Sequence, residues 1–368
     1  MQIPFLDLQR QYAMLQPDID QLIHQVVAEQ RFVGGERVAS FEKTFAASHG
    51  VNHCIGVGNA TDALFIILKA LEIGEGDEVV VPAHGWISAA EMVVLAGAKP
   101  VFADVDAESY CMSTGSMESL ITPNTKAIIP IHLYGQMANM QALKAFADSH
   151  DIFIIEDCAQ AHFASNGGQM AGSIGIAGAF SFYPSKLLGA MGDGGCITTS
   201  DKALAEKCRA LSNHGGVEKN HHEIPGLNSR LDTLQAAILE FKMNHVDDWI
   251  TARNHIAGFY ERALKEISEL TTPHISLGNA HNFHIYALQV EKRDELKEHL
   301  SAAGIQTEIH YPLASPFTQA FSKAGYKAEN FPVSAKLQQT TLSLPIYETM
   351  THQEVEYVVS TLRGFYGV

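Results

Sequence analysis

The residues best suited to chemistry lie between positions 151 and 195, in DIFIIEDCAQAHFASNGGQMAGSIGIAGAFSFYPSKLLGAMGDGG. An apolar run, Ile152 to Ile155, leads to a carboxylate, Asp157. A second run, Ala177 to Tyr183, delivers Lys186 into a Gly-rich turn. A lysine with a lowered pKa is nucleophilic and can hold an aldehyde as an imine. A carboxylate set against a pyridine nitrogen keeps that nitrogen protonated and makes the ring an electron sink. Each residue also has a plainer reading. A lysine can snorkel at the surface, and an aspartate can cap a helix or join a structural ion pair.

Two other segments could meet this pair. Gly58-Asn59-Ala60-Thr61-Asp62-Ala63-Leu64 joins a strand to a helix. Free N–H groups at a helix start, beside a hydroxyl, make an anion site, although ordinary capping by Asn59 or Thr61 explains the same residues. Trp86 follows the run VVVP, where a flat ring can stack on a cofactor or simply pack in the core. His132 also falls at a strand end. His214, His221 and His222 lack carboxylate or cysteine partners at metal-ligand spacing, read as loop residues, and no metal is expected.

The 368-residue chain is 46% apolar and 18% charged, enough for a large core and comfortable for two domains. Its net charge of −16 argues against nucleic acid as a partner. The five cysteines form no CxxC pair, so neither a zinc ribbon nor a disulfide framework is expected. The start MQIPFLDLQRQYAML lacks the apolar core of a signal peptide, and no stretch reaches the roughly 20 apolar residues of a membrane span. A cytoplasmic protein without membrane contact is the expectation.

The elements that must position these residues alternate. HCIGV, EVVVP, KPVFADV, KAIIPIH, FIIED, FSFY and CITT read as strands, apolar on both faces. Helical patterns lie between them, at 61–71, 87–97, 138–149 and 202–211. Strands alternating with helices predict an α/β fold, with a mostly parallel sheet covered on both sides and ligands outside the carboxyl ends of its strands. A first helix is expected from Asp18, a loop over 213–230, and one long helix from Leu231 past His255. Beyond about residue 270 the texture shifts to short α+β units. The expected division is a large domain, 1–250 with an N-terminal arm at 1–20, and a small C-terminal domain, 251–368.

The order of anion loop, flat ring, aspartate and lysine resembles that of fold-type I enzymes that use pyridoxal 5′-phosphate. More closely, the chain resembles the DegT/StrS-type nucleotide-sugar aminotransferases. The likeness runs nearly end to end, through IPFLDLQRQY, GNATDAL, GAKPVFADVD, IHLYGQMANM, IIEDCAQAH, FSFYPSKLLGAMGDGG, GLNSRLDTLQAAIL, HYPLASP and LSLPIY. It implies a seven-stranded central sheet. It also implies that Lys186 carries the cofactor as an imine and moves the proton, with Asp157 on the ring nitrogen. Trp86 would lie on the ring face, Gln160 at the ring hydroxyl, and Thr61, Asp62 and Ser181 at the phosphate. Asn228 would reach the phosphate of a neighbouring subunit in a homodimer. His310, Tyr311 and Tyr183 would lie at the sugar end.

The activity implied is transfer of an amino group from L-glutamate, which leaves as 2-oxoglutarate, to a nucleotide-linked keto-sugar. Relatives acting on 3-keto sugars often read KNLGA-x-GDGG, those on 4-keto sugars K-x-ITTGEGG. KLLGAMGDGG resembles the first, so a dTDP-linked 3-keto-6-deoxyhexose is the expected substrate, with a UDP-linked 3-keto sugar, a 4-keto sugar, or sugar dehydration on the same fold as the alternatives. The amino-sugar would enter surface polysaccharide such as O-antigen, or a glycosylated natural product. Leu187 and Phe163 depart from the Asn and Gly usual at their positions, and both are expected to line the substrate crevice. A histidine in place of the lysine marks relatives that dehydrate sugars, and Lys186 argues against that chemistry.

Overall fold

The computed structural model describes residues 1–216, 218 and 220–368. Its centre is a seven-stranded sheet built from β1 (His53–Val57), β2 (Glu78–Pro82), β3 (Lys99–Ala103), β4 (Thr125–Ile128), β5 (Phe153–Asp157), β8 (Ala177–Ser181) and β9 (Gly195–Thr199). The two-residue strands β6 (Ser165–Asn166) and β7 (Gln169–Met170) form a hairpin outside it. The spatial order is β1-β9-β8-β5-β4-β2-β3. Only β9 runs against the others. The apolar texture of the strands follows from burial: β8 and β9 are buried at every residue.

Helices cover this sheet. They are α1 (Leu8–Glu29), α2 (Glu36–Ser48), α3 (Ala60–Ala70), α4 (Ser88–Ala96), α5 (Met140–His150), α6 (Lys202–Ser212) and α7 (Thr233–Met243). The chain then runs through α8 (Val246–Leu264) into a smaller unit. There β10 (Leu270–Thr271), β12 (Tyr286–Val290) and β13 (Thr341–Leu344) form an antiparallel sheet with β12 in the middle. Its helices are α9 (Arg293–Ala302), α10 (Pro332–Thr340) and α11 (His352–Tyr366), and β11 (Asn279–Ala280) pairs with β6 of the outer hairpin.

Two expectations change. The first helix begins at Leu8, because Asp7 accepts from the Arg10 N–H as its cap, and it continues past Pro17. The N-terminal arm is therefore mostly helix. The long helix expected from Leu231 is two helices, interrupted at Asn244 and His245. The 213–230 segment contains no helix or strand among its described residues. Residues 217 and 219 lie outside the described residues.

One apolar cluster underlies the seven-stranded sheet, and a second joins α8, β12, β13, α9 and α11. Ile3 belongs to the second, held by its N–H to the Gly304 carbonyl at 2.8 Å. We propose that the two domains divide inside α8, close to residue 250, since its Trp249 packs in the first cluster and Ile256 in the second.

Strand direction brings the ends of β1, β5 and β8 and the start of β9 to one edge. Gly195 at the start of β9 permits this convergence. A Cβ there would sit 2.5 Å from the Asn59 carbonyl carbon and 2.8 Å from the Ala60 nitrogen, so a larger residue would displace the turn that opens α3.

Candidate active site

At that edge lies a cavity of about 670 Å³, lined among others by Thr61, Asp62, Trp86, Asp157, Gln160, Ser181, Tyr183, Lys186, His310 and Tyr311. Ten of the expected site residues thus meet although they span 250 positions of sequence. Asn228 does not line it. It is exposed on the 213–230 segment, its backbone bridged to Asn213.

Lys186 follows the end of β8 in a tight turn, where its N–H donates to the Tyr183 carbonyl at 2.8 Å. Among the described residues its amine has no hydrogen-bond or ion-pair partner. Burial lowers its pKa from 10.5 to about 8, and the charge of Asp157 opposes that shift. The lowering comes from desolvation and not from neighbouring cations. Asp157, only 5% exposed at the end of β5, is pushed up by burial and pulled down by the Ala159 N–H, at 3.0 Å, and by the charge of Lys186.

The anion turn is built as its sequence implies. Asn59 caps α3 by accepting from the Asp62 N–H at 2.7 Å, and the N–H groups of Ala60 and Thr61 have no protein partner among the described residues. The hydroxyls of Thr61 and Ser88 lie 3.0 Å apart and join the starts of α3 and α4. Ser229 fixes the other side, donating to Asp62 Oδ2 at 2.6 Å and accepting from the Gly58 N–H at 2.9 Å.

Aromatic and imidazole groups form the outer walls. Trp86 is 58% exposed, which excludes the core-packing reading, and its ring centre lies 5.6 Å from that of Tyr311. Tyr183 is exposed as well. Gln160 Nε2 donates to the Tyr311 hydroxyl at 2.7 Å, and Gln160 Oε1 accepts from the Tyr134 N–H at 2.8 Å. The Tyr134 hydroxyl donates to the His310 carbonyl. Its single proton being used there, His84 Nε2, 3.0 Å away, must be the donor to it. Burial keeps His84 and His310 neutral by lowering each to about 4. His284, from the segment before β12, also enters the cavity and is lowered by burial and by the charge of Lys186.

Leu187 and Phe163 correct the sequence reading, for neither lines the cavity. Leu187 points into the large core, 1% exposed. Phe163 packs edge-on to Phe45 with ring centres 6.2 Å apart, and lies 4.9 Å from the His49 ring.

Sequence reasoning missed Ser185, Asp193 and His284 on the cavity, and Glu156 beneath it. Successive side chains on a strand face opposite ways, so of the adjacent acids Glu156 and Asp157 only one can face the crevice. That alternation was the available signal. Glu156, fully buried, accepts from Ile174 N and Gly175 N at 2.7 Å each, from Gly172 N at 3.0 Å, and from His132 Nε2 at 2.9 Å. His132 Nδ1 accepts from the Ala138 N–H at 3.2 Å, so Nε2 carries the proton given to Glu156. Burial would raise Glu156, but the His132 bond and the N–H groups outweigh it and hold it below its ordinary value. His132, Glu156 and Cys158 lie close enough to suggest a metal ion. The four donors leave the carboxylate little capacity, and burial keeps Cys158 a thiol by raising its pKa, so the donor set does not fit one.

A lysine that is enclosed and, among the described residues, without a counter-ion, a buried carboxylate across the cavity and a helix start whose first N–H groups have no partner among those residues fit an aldehyde, a ring nitrogen and a phosphate. The fold and site are those of a pyridoxal 5′-phosphate-dependent aminotransferase. Comparison narrows this: residues 14–363 match the DegT/DnrJ/EryC1/StrS aminotransferase family, and the chain belongs to it. It is 42% identical over 368 residues to a Geobacillus stearothermophilus protein called "Pleiotropic regulatory protein", covering 100% of this chain and 99% of that one. It is 40% identical over 363 residues to the dTDP-3-amino-3,6-dideoxy-alpha-D-galactopyranose transaminase of Aneurinibacillus thermoaerophilus, covering 99% of each. The crystal structure of DesV from S. venezuelae superposes with a TM-score of 0.97 at 37% identity, covering 99% of this chain and 98% of that one. Among the described residues no helix is long and apolar enough to cross a membrane.

Glu156→Gln tests the buried anchor. An amide NH₂ must replace one oxygen and would face two donors wherever it points. The loss expected is about 1–3 kcal/mol of unfolding free energy, as for leaving a buried donor without its acceptor, read by urea denaturation of the apoprotein. Wild-type stability would remove Glu156 from the account.

Proposed function

We propose that this enzyme transfers the amino group of L-glutamate to a nucleotide-linked 3-keto sugar, a dTDP-3-keto-6-deoxyhexose above all, in the cytoplasm and as a homodimer with shared sites. The observation that carries the reaction class is Lys186, without a counter-ion among the described residues, facing the buried Asp157 across one cavity. The sequence KLLGAMGDGG and the printed name of the Aneurinibacillus relative support amination at carbon 3.

Pyridoxal phosphate, when bound, supplies an aldehyde to carry the amino group and a ring to draw electrons from the bond being broken. The chain supplies position and proton handling. Asp157 keeps a proton on the ring nitrogen, since an ionised carboxylate favours the cationic form of its partner. Lys186 Nζ, its pKa lowered to about 8, would take the proton from the substrate carbon bearing the amino group and return it at the carbon of the cofactor's former aldehyde. Thr61 and Ser181, with the free N–H groups at the start of α3, would hold the phosphate, and Asp62 would fix that turn through its bonds to Asn59 and Ser229. Gln160 would orient the ring hydroxyl, and Trp86 would lie against the ring face. Tyr183, His310 and Tyr311 bound the sugar end, where neutral imidazoles and hydroxyls suit the hydroxyls of a hexose. Asn228, exposed and off its own cavity, is free to complete the phosphate site of a second copy.

The name of the Geobacillus relative raises a second reading, a regulator built on this fold. Glutamate and a set of dTDP- and UDP-linked 3-keto and 4-keto sugars separate the two. The expected result is formation of 2-oxoglutarate and a 3-amino sugar, fastest with the dTDP-linked 3-keto sugar, and none with Lys186→Ala. Faster amination of a 4-keto sugar would overturn the carbon-3 assignment. No transfer to any of them would favour the regulatory reading. Asn228→Ala is expected to raise the dissociation constant for pyridoxal phosphate roughly tenfold, the effect of about 1.4 kcal/mol, in a fluorescence titration of the apoprotein. Unchanged affinity would remove the shared site.

A further inference from the structure

The loop that carries Lys186 is held from behind by a second buried lysine. Lys242, on α7 and 5% exposed, donates to the Gly189 carbonyl at 2.8 Å and to Gln11 Oε1 at 3.3 Å. Gln11, buried on α1, passes the contact on through Nε2 to Glu348 Oε1 at 2.6 Å. Glu348 Oε2 receives Arg253 Nη2 at 3.0 Å, and these two side chains are 5% and 3% exposed. Arg253 Nη1 in turn donates to the carbonyls of Ile346, at 2.9 Å, and Phe283, at 3.2 Å. Phe283 is the residue before His284, which lines the cavity.

The near end of this chain bears on Lys186 because the turn is closed. A Cβ on Gly189 would fall 2.4 Å from the Pro184 carbonyl oxygen, so the two ends of the segment 184–189 already touch. The Ala190 N–H returns to the Phe182 carbonyl at 2.8 Å. Displacing the Gly189 carbonyl therefore displaces the backbone on which Lys186 stands.

We propose that Lys242 is a positioning residue for Lys186, and that the chain Gly189–Lys242–Gln11–Glu348–Arg253–Phe283 couples the lysine turn to the opposite wall carrying His284. Buried charges of this kind are costly when partly satisfied and specify one arrangement when complete. Here the arrangement specified is the distance between the two walls of the site. None of the four linking side chains lines the cavity, so each acts through the backbone it holds. This rests on Lys186 being the imine-forming residue.

The test measures imine formation by the apoprotein with free pyridoxal, which lacks the phosphate, followed by absorbance well below the melting temperature. Lys242→Met is expected to slow it at least tenfold and Glu348→Gln, an isosteric change outside the cavity, at least threefold. A purely structural role would lower the melting temperature of both variants and leave their rates at wild type, and that result would overturn the proposal. If Lys242→Met does not fold, Glu348→Gln alone decides by the same criterion. Lys186→Ala is the control. Imine formation in wild type that persists in this variant, or none in wild type, would sink the Lys186 reading itself; a Lys186-dependent rate indifferent to Glu348→Gln and Lys242→Met would sink only the coupling.

Discussion

The desolvation of one amine organises this molecule. Water stabilises an ammonium ion, and a site that removes water without supplying a counter-ion drives the group towards its neutral form. Lys186 is in that condition: among the described residues its amine has no ion-pair partner, and the charge of Asp157 only partly opposes the lowering of its pKa. Such a site is unfavourable for folding, so the surrounding structure must over-determine it. The buried strands β5 and β8 fix the aspartate and the start of the lysine turn. The contact between Gly189 and Pro184 closes that turn, and Lys242 holds it from behind.

The adjacent carboxylates Glu156 and Asp157 show how one strand divides labour. Alternation sends Glu156 away from the cavity, where three backbone N–H groups and His132 hold it ionised. It anchors the loop 172–175 against the strand. Asp157 faces the cavity with the Ala159 N–H as its side-chain donor among the described residues, and burial raises its pKa. A carboxylate left with acceptor capacity in a dry site is one prepared for a cationic partner. The saturated acid is structural and the unsaturated one is available for chemistry.

Much of this was legible in the sequence. The strands of the central sheet are short apolar runs ended by Gly, Pro or polar residues, and burial on both faces explains their texture. Asp157, Lys186 and the Gly58–Leu64 turn were readable because polar groups at strand ends stand out from such runs. What was hidden has physical reasons. The helix at Leu8 depends on one capping bond from Asp7 and tolerates Pro17, where the pattern alone placed a start at Asp18. The break at Asn244 carries no Gly or Pro to mark it. Leu187 and Phe163 read as substrate contacts because they depart from the Asn and Gly usual at their positions, yet tertiary packing turns both inward. The Lys242 chain joins residues up to 337 positions apart, between Gln11 and Glu348, and no local pattern announces such a pairing.

The central claim is tested most directly by the pH dependence of the rate at which the apoprotein forms its imine with pyridoxal 5′-phosphate. The neutral amine is the nucleophile, so the rate must rise with pH and level off above the pKa of the lysine. The account predicts a midpoint at about 8. It also predicts a lower midpoint in Asp157→Asn, because the charge of Asp157 raises the lysine's pKa. A midpoint near 10.5, the ordinary value for a lysine, would contradict the account, since the site would then not desolvate the amine on which everything else converges.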